Sequence, residues 1–357
     1  MTKEKVLIAA MSGGVDSSVA AALYLQQGYK VIGVTLKLKD CDLTREKTKS
    51  CCSLEDNRQV KQVAEILGIP HKFLPLREEF EDKVLRRAWS DYRSGRTPNP
   101  CVVCNRFCKF GSEMKRFADE FGACGIITGH YAIINRDNPE KAKLFKGANH
   151  EKDQTYFLSG LTQEQLNMCY MPLGNMDKSE VRAIADKLGL PNSKKTESQD
   201  ACFGYKGEKF AETLSRYFNE PLAKGEIVDE NGKVLATHNG IQYFTIGQRK
   251  GLGVALGKPA YVIKIDKQNN QVVVSTDYEK LLCSEFSASE MNWIDFDFED
   301  LKCEVQTRYR QPLQKATVIR KGDKAIVKLA EPLASVTPGQ RLAVFKDGQL
   351  LAGGWID

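Results

Sequence analysis

Three stretches of this 357-residue chain hold residues whose types and spacing could do chemistry. SGGVDSS at 12–18 is a double-glycine loop rich in hydroxyls. RTPNPCVVCNR at 96–106 uses two prolines to stiffen the approach to Cys101-x-x-Cys104. KKTESQDACFG at 194–204 is polar and carries a single thiol, Cys202. In the first stretch, Gly13 and Gly14 let the backbone come close to a phosphate. Ser12, Ser17 and Ser18 offer hydroxyls, and a following helix would add N–H donors at its N-terminus. Asp16 would repel a bare phosphate, which points to Mg²⁺ or to a capping role. The loop has neither the GK[ST] ending of a Walker A loop nor the G-x-G-x-x-G pattern. A Cys-x-x-Cys pair with a further thiol is compatible with a metal site, a redox pair or a sulfur-handling nucleophile. Small polar neighbours put Cys202 in an accessible loop. Apolar or mixed surroundings make Cys124, Cys169, Cys283 and Cys303 core thiols.

These residues need elements to position them. The apolar run at 6–10 reads as a buried parallel strand, 19–27 as a helix stopped by Gly28, and VIGVTL at 31–36 as the next strand. Strand, glycine-rich turn, helix and strand in that order make a phosphate-binding unit. Val60, Val63, Ala64 and Leu67 have helical spacing, and HKFLPL at 71–76 reads as a strand. Phe107, Phe110, Met114, Phe117 and Phe121 form a core-facing helical stripe. GIITGHYA at 125–132 reads as a strand ending at a turn, where such sheets bind ligands. Asp177-x-x-Glu180 reads as a capping box for a helix ending near Gly189. After a helix-like stretch at 207–218, turn signals at Asn231-Gly232, 268–270 and 346–348 separate β-rich runs. DFDFED at 295–300 reads as a solvated edge. Residues 305–322 hold five basic residues and no acidic one, which suits either phosphate contacts or a charged outer strand.

The length allows two or three domains. No apolar run approaches the roughly 20 residues of a membrane span, and the N-terminal apolar run is short for a signal peptide. The expectation is therefore a cytoplasmic protein without a membrane partner. The 11 cysteines are then not expected to form a disulfide framework. A net charge of +6 permits an acidic partner such as nucleic acid without demanding one.

SGGVDSS resembles the PP-loop of ATP pyrophosphatases, which cleave ATP between the α- and β-phosphates and transfer AMP to an oxygen. SGGVDSS, TPNPCxxCN, TGHYA, KDQTYFL, SxDxCF and TPGQ follow one another in one order over the whole chain. Together they are similar to the bacterial tRNA-specific 2-thiouridylase family. The resemblance implies an α/β fold in three parts. These are an N-terminal parallel-sheet PP-loop domain over 1–205, a small central mixed domain over 206–285 and a C-terminal all-β barrel over 286–357. It implies ATP-dependent replacement of the C2 oxygen of a wobble uridine by sulfur, with Mg²⁺, with tRNA as partner, and with a cysteine desulfurase or sulfur-relay carrier as donor.

Carried over residue by residue, the family implies a persulfide on Cys202 and a nucleophile at Cys104 that can end disulfide-bonded to it. Ala10, Met11, Ser12, Gly13, Gly14, Val15, Asp16, Ser17, Leu36 and Gly129 would line ATP. Asn99, Pro100 and Cys101 would contact the target base. His130, Lys152, Asp153, Gln154, Arg308, Tyr309 and Gln340 would contact tRNA. Many members have Asp where this chain has Cys101. The thiols of Cys101, Cys104 and Cys202 would then suffice for a [4Fe-4S] cluster with one open iron, so persulfide and cluster schemes both stay open. Two other readings stand beside these. A PP-loop ligase or amidotransferase acting on a small molecule explains the loop but not the cysteines. A zinc-dependent RNA-binding module built on Cys101, Cys104 and Cys108, with His130 or Cys202, leaves the loop unused.

Overall fold

The computed structural model of the protein describes residues 5–38, 54–195, 203 and 207–357. They form two compact units that do not follow chain order. The first comprises residues 1–84, 101–203 and 346–351, and the second residues 85–100, 204–345 and 352–357.

The first unit is built on a five-stranded sheet. Its strands are β1 (Val6–Ala10), β2 (Lys30–Lys37), β3 (His71–Pro75), β4 (Ala123–Ile127) and a short β7 (Cys169–Tyr170), in the order β3-β2-β1-β4-β7. All four pairings are parallel. Leu7, Ile8, Val31, Val34, Ile126 and Ile127 are buried, as expected for central strands covered on both faces. Helix α1 (Val15–Gln26) buries Val19 and three alanines, small side chains that allow close packing on the sheet. Helix α2 (Leu54–Leu67) contributes Val60, Val63 and Ala64 to the same core. Gly28, at φ +85°, ends the first of these helices as the sequence indicates.

The aromatic stripe does not lie on one continuous helix. It is split between the π-helical stretch Asn105–Lys109 and the α-helix Ser112–Glu120. The break falls at Gly111, where a Cβ would lie 1.7 Å from the Phe107 carbonyl oxygen. Phe110, Met114 and Phe117 are still buried. An antiparallel hairpin of β5 (Ala132–Asn135) and β6 (Lys143–Lys146) follows the main sheet. Residues 346–351 return to this unit, with Gln349 opposite Phe145.

The second unit contains a four-stranded sheet in the order β10-β11-β8-β9. These are β8 (Gly225–Val228), β9 (Val234–His238), β10 (Tyr261–Asp266) and β11 (Gln271–Ser275). The turns at Asn231-Gly232 and 268–270 join its two hairpins, as their composition predicts. It also holds the barrel strands β12 (Leu282–Trp293), β13 (Asp300–Gln306), β14 (Gln314–Lys321) and β15 (Lys324–Ala334), with β16 (Arg341–Lys346) up to residue 345 and β17 (Gln349–Ile356) from residue 352. They pair in the order β12-β15-β14-β13-β16-β17, and β17 pairs back onto β12, so the barrel closes. Closure removes the open edges that an antiparallel sheet otherwise presents. In the acidic stretch at 295–300, Phe298 is exposed but Phe296 is buried, so that edge is only partly solvated. The α/β architecture with a parallel-sheet front, a small central part and a closed β barrel is as the sequence predicts.

Candidate active site

The glycine-rich loop leaves the C-terminal end of β1 and enters α1, whose N-cap is Gly14. Met11 N–H donates to the Val34 carbonyl at 2.8 Å, which joins the loop's start to β2. Thr35 Oγ1 donates to the Met11 carbonyl at 2.8 Å and lies 2.9 Å from His71 Nε2. Because the Thr35 hydrogen is used on Met11, the imidazole donates from Nε2. Burial, then Lys61 and Lys37, push His71 down to about 4. The loop's hydroxyls are largely turned inward. Ser17 and Ser18 donate to the Gly14 carbonyl at 3.0 and 3.1 Å, and Ser12 N–H donates to Ser17 Oγ at 3.2 Å. Ser18 is buried and also accepts from Asn192 Nδ2 at 2.9 Å. It therefore holds the loop's shape rather than facing a ligand.

Asp16 is not the helix cap. Its carboxylate accepts from Lys178 Nζ at 2.7 and 2.8 Å and from the Tyr131 hydroxyl at 2.8 Å. Asp16 offers hard carboxylate oxygens of the kind Mg²⁺ takes, and both accept from Lys178. On the loop's other side, Lys195 Nζ donates to the Gly13 carbonyl at 3.3 Å, to Gln59 at 2.7 Å and to the Asp56 carboxylate. Asn192 Nδ2 also donates to Gly13 O, at 3.2 Å. Lys178, Tyr131, Asn192 and Lys195 were not singled out from the sequence. The capping box at Asp177 and Glu180, which the structure bears out, marked the place next to Lys178 but not its partner.

The TGHYA turn follows β4 and closes onto the start of α1. A Cβ on Gly129 would lie 2.6 Å from Ser17 N and 2.7 Å from the Asp16 carbonyl carbon. Only a glycine fits that approach without a shift. The ends of β1, β2 and β4 thus bring residues 10–17, Leu36 and Gly129 to one end of the sheet. His130 in the same turn is buried. Its Nδ1 lies 2.7 Å from Thr128 Oγ1, and Lys109 Nζ approaches Nε2 at 3.5 Å. Burial, then the Lys109 charge, hold His130 well below the usual histidine range, so the imidazole is neutral at pH 7. The neighbouring KDQ segment is tied down from within. Buried Asp153 accepts from Lys146 Nζ at 2.8 Å and from Gly147 N–H at 2.9 Å. Gln154 exchanges two hydrogen bonds with the Tyr131 backbone, at 3.0 and 3.2 Å. Lys152 is half-buried.

Cys101 and Cys104 lie on the short helix Pro100–Cys104. Cys101 is half-buried and Cys104 is 8% exposed. Cys108 is fully buried in the stretch that follows. Among the described residues no group of three or more His, Cys, Asp or Glu side chains could hold a metal. The set Cys101, Cys104 and Cys108, alone or with His130, therefore does not fit a zinc site. Cys202 lies outside the described residues. Cys169 and Cys303 are core thiols as expected, and burial raises Cys169 far above the ordinary thiol range. Cys283 is half-buried. Cys124 departs from the expectation. It is exposed at the start of β4, with its sulfur 3.3 Å from the Val6 carbonyl, because an apolar stretch identifies a strand but not which of its residues reach the core.

The remaining candidates lie in the second unit. Gln340 Nε2 donates to the carbonyls of Thr97 and Pro98 at 3.0 and 3.2 Å, and Thr97 N–H donates to the Pro338 carbonyl at 2.9 Å. The TPGQ and TPNP stretches are therefore one bonded structure, which ends at buried Asn99 and half-buried Pro100. Gly339, at φ +86°, brings its backbone so close that a Cβ would lie 2.9 Å from the Thr97 carbonyl oxygen. Arg308 donates to Thr337 Oγ1 at 2.8 Å. The Arg310 guanidinium lies 5.3 Å from the centre of the Tyr309 ring.

Three family models match consecutive stretches of the chain. They describe a tRNA methyl transferase HUP domain over 4–206, a tRNA methyl transferase PRC-barrel domain over 211–276 and an aminomethyltransferase beta-barrel domain over 283–356. The chain is 42% identical to the tRNA-specific 2-thiouridylase MnmA of Carboxydothermus hydrogenoformans, covering 99% of this chain and 98% of that protein. It is 43% identical to the tRNA-specific 2-thiouridylase MnmA 1 of Caldanaerobacter subterraneus subsp. tengcongensis, over 98% and 97% of the two chains. The corresponding protein of Acetivibrio thermocellus is 42% identical, over 100% and 99%. The model descriptions speak of methyl transfer and the relatives' names of thiolation. The relatives match from end to end at this identity, so their grouping decides: the chain belongs to the tRNA-specific 2-thiouridylase family.

Proposed function

We propose that the chain adenylates the C2 oxygen of a wobble uridine in tRNA with ATP and then replaces that oxygen by sulfur. The convergence of SGGVDSS, Leu36 and Gly129 at one end of a parallel sheet is the observation that supports an ATP site there. In the first step, the uridine oxygen forms a bond to the α-phosphorus, the bond to the β-phosphate breaks, and pyrophosphate leaves with the electron pair. Adenylation is needed because the C2 carbonyl is urea-like and resists attack. Mg²⁺, held by Asp16 with the phosphates, would neutralise phosphate charge. The turn residues do the rest of the shaping. Gly129 allows the close approach to α1, and Thr35 fixes the Met11 carbonyl.

In the second step, the outer sulfur of a Cys202 persulfide attacks C2 and AMP leaves. The Cys104 thiolate then attacks the Cys202 sulfur, the C2 thiocarbonyl is released, and a Cys104–Cys202 disulfide remains for an external thiol to reduce. Sulfur reaches Cys202 from a cysteine desulfurase or a sulfur-relay carrier. Asn99, Pro100 and Cys101 face the base in this reading. Lys152, Arg308, Tyr309 and Gln340 serve the tRNA, while buried His130 and Asp153, with Gln154, shape the adjoining turn. The chemistry belongs in the cytoplasm, and among the described residues no helix is long and apolar enough to cross a membrane. We propose the three-part division at 205/206 and 285/286 as its evolutionary layout.

The test is tRNA nucleoside mass spectrometry on cells with and without the gene, joined to pyrophosphate release by the purified chain. Loss of 2-thiouridine together with tRNA-dependent pyrophosphate release is expected, and Asp16→Ala abolishes that release in a folded protein. Release of ADP and orthophosphate would reject the site. Anaerobic purification followed by iron and acid-labile sulfide assays decides between the sulfur schemes. An iron-free protein active with a persulfide donor is expected. A cluster lost in Cys101→Asp together with activity would transfer the sulfur step to Cys101, Cys104 and Cys202 as ligands.

A further inference from the structure

The stretch TIGQRKGLG at 245–253, in the second unit, carries two basic residues, Arg249 and Lys250, and no acidic one. Its backbone is pinned at both ends. Phe244 and Leu252 are buried in one apolar cluster with Val262 and Val272. Gly247 N–H donates to the Val262 carbonyl at 2.8 Å, and Val262 N–H donates to the Gln248 carbonyl at 3.0 Å. Gln248 locks the loop from inside. Its side-chain oxygen accepts from Thr245 N–H at 3.1 Å, and its amide donates to the Lys250 carbonyl at 3.1 Å. What this lock leaves outside is the pair Arg249 and Lys250, both exposed and with no ion pair among the described residues. Adjacent cations repel each other, and an incoming anion relieves that repulsion. Because the loop is already ordered, binding there forfeits little conformational entropy. The loop is also bonded to the segment that ends at Asn99 and Pro100, since Thr97 Oγ1 donates to Thr245 Oγ1 at 3.2 Å. A Cβ on Gly247 would lie 2.7 Å from Ser335 Cβ. The Ser335 carbonyl accepts from Thr337 Oγ1 at 2.8 Å, and that oxygen accepts in turn from Arg308. Residues 97–98, 245–250, 335–340 and Arg308 thus make one connected rim within the second unit.

We propose that residues 245–251 are a phosphate-binding loop, in which Arg249 and Lys250 grip the ribose–phosphate backbone on either side of the wobble nucleotide. Thr97 stands two residues before Asn99, so a nucleotide whose base meets Asn99 has its neighbouring phosphates within a few residues' reach of Thr245 and its loop. Phosphates carry no sequence information, so this grip sets the register of the strand while residues 99–101 meet the base. The two cations differ in kind. The Arg249 guanidinium can present a planar fork to two phosphate oxygens, and the Lys250 ammonium acts as a point charge on a flexible stem. The inference rests on the reading above that Asn99 and Pro100 face the target uridine.

The test measures binding of whole substrate tRNA, and of its anticodon stem–loop, to the full-length chain by fluorescence anisotropy over a range of salt concentrations. Thermal unfolding verifies that each variant is folded. Arg249→Ala and Lys250→Ala each weaken both RNAs about 5-fold at physiological salt and lower the salt slope by about one. Arg249→Lys keeps the slope, because the charge is kept. Neutral methylphosphonates in place of the phosphates flanking the wobble nucleotide weaken the stem–loop on the wild-type chain. The same replacement has little further effect on the double variant R249A/K250A, since the two changes remove one interaction. Losses that multiply in full would mean that these side chains do not meet those phosphates, and would overturn the proposal. A loss confined to whole tRNA would overturn it too, by moving the contact to another arm of the molecule. An unchanged salt slope in both single variants would leave Arg249 and Lys250 as solvated surface. A wild-type chain that binds neither RNA would strike the tRNA reading itself, whatever the variants do.

Discussion

The imidazole of His71 bonds to Thr35, which holds the Met11 carbonyl at the start of the glycine-rich loop, and its burial makes the fold sensitive to acid. In the unfolded chain a histidine titrates near 6.5, while burial and two lysines hold His71 at about 4. Between those values the unfolded state binds more protons, so its stabilisation rises as pH falls. Full native stability is present above about 6.5 and declines as the solution is acidified towards 4. His71→Gln should flatten the dependence of the unfolding free energy on pH across that window, as read from urea titrations at several pH values. An unchanged slope would put the acid sensitivity elsewhere, with buried His130 next in line. Neither histidine's environment was legible in the sequence. HKF announces a strand, but the Thr35 hydroxyl and the lysines that surround His71 are 10 to 36 residues away in the chain. The same holds for Asp16. Its type raised the question of Mg²⁺ or a cap, while its partners Tyr131 and Lys178 stand 115 and 162 residues downstream.

Elements whose signals are local were readable. SGGVDSS, the capping box at Asp177 and the hairpin turns each carry their instruction within a few residues, through glycine torsions, cap hydrogen bonds and turn chemistry. The aromatic stripe was misleading as a single helix because apolar spacing tolerates a break at Gly111, and only the approach of the Phe107 carbonyl reveals it. The TGHYA turn is the element on which the proposed ATP site depends most. Gly129→Ala sets a methyl group against the backbone of Ser17 and Asp16. An overpacked contact of this kind costs about 1–3 kcal/mol, and here part of that cost falls on the loop's position. The expected outcome is a lower melting temperature together with weakened ATP binding by calorimetry. Native ATP affinity in a folded Gly129→Ala protein would separate the turn from the nucleotide.

The two compact units exchange segments of chain. Helix Arg86–Arg93 belongs to the second unit, where Trp89 and Arg93 donate to Glu220 at 2.9 and 2.6 Å and Arg87 pairs with Glu290 through two bonds of 2.8 and 3.0 Å. A fragment ending at 205 would carry residues 85–100 without those partners. Limited proteolysis should therefore cut the fragment within 85–100 while the full chain resists there. Equal resistance in both would mean that the segment is stable by itself. The exchange at the other end bears on how the molecule is made. Residues 346–351 complete the edge at β6, yet Gln349 follows its partner Phe145 by 204 positions in the chain. Growing from its N-terminus at about 5–20 residues per second, a nascent chain must wait roughly ten to forty seconds after residue 145 has been added before the residue that pairs with it has been made. Through that interval the edge of β6 is open to any other strand, so crowding among polysomes is the stage at which this protein is most exposed to mispairing.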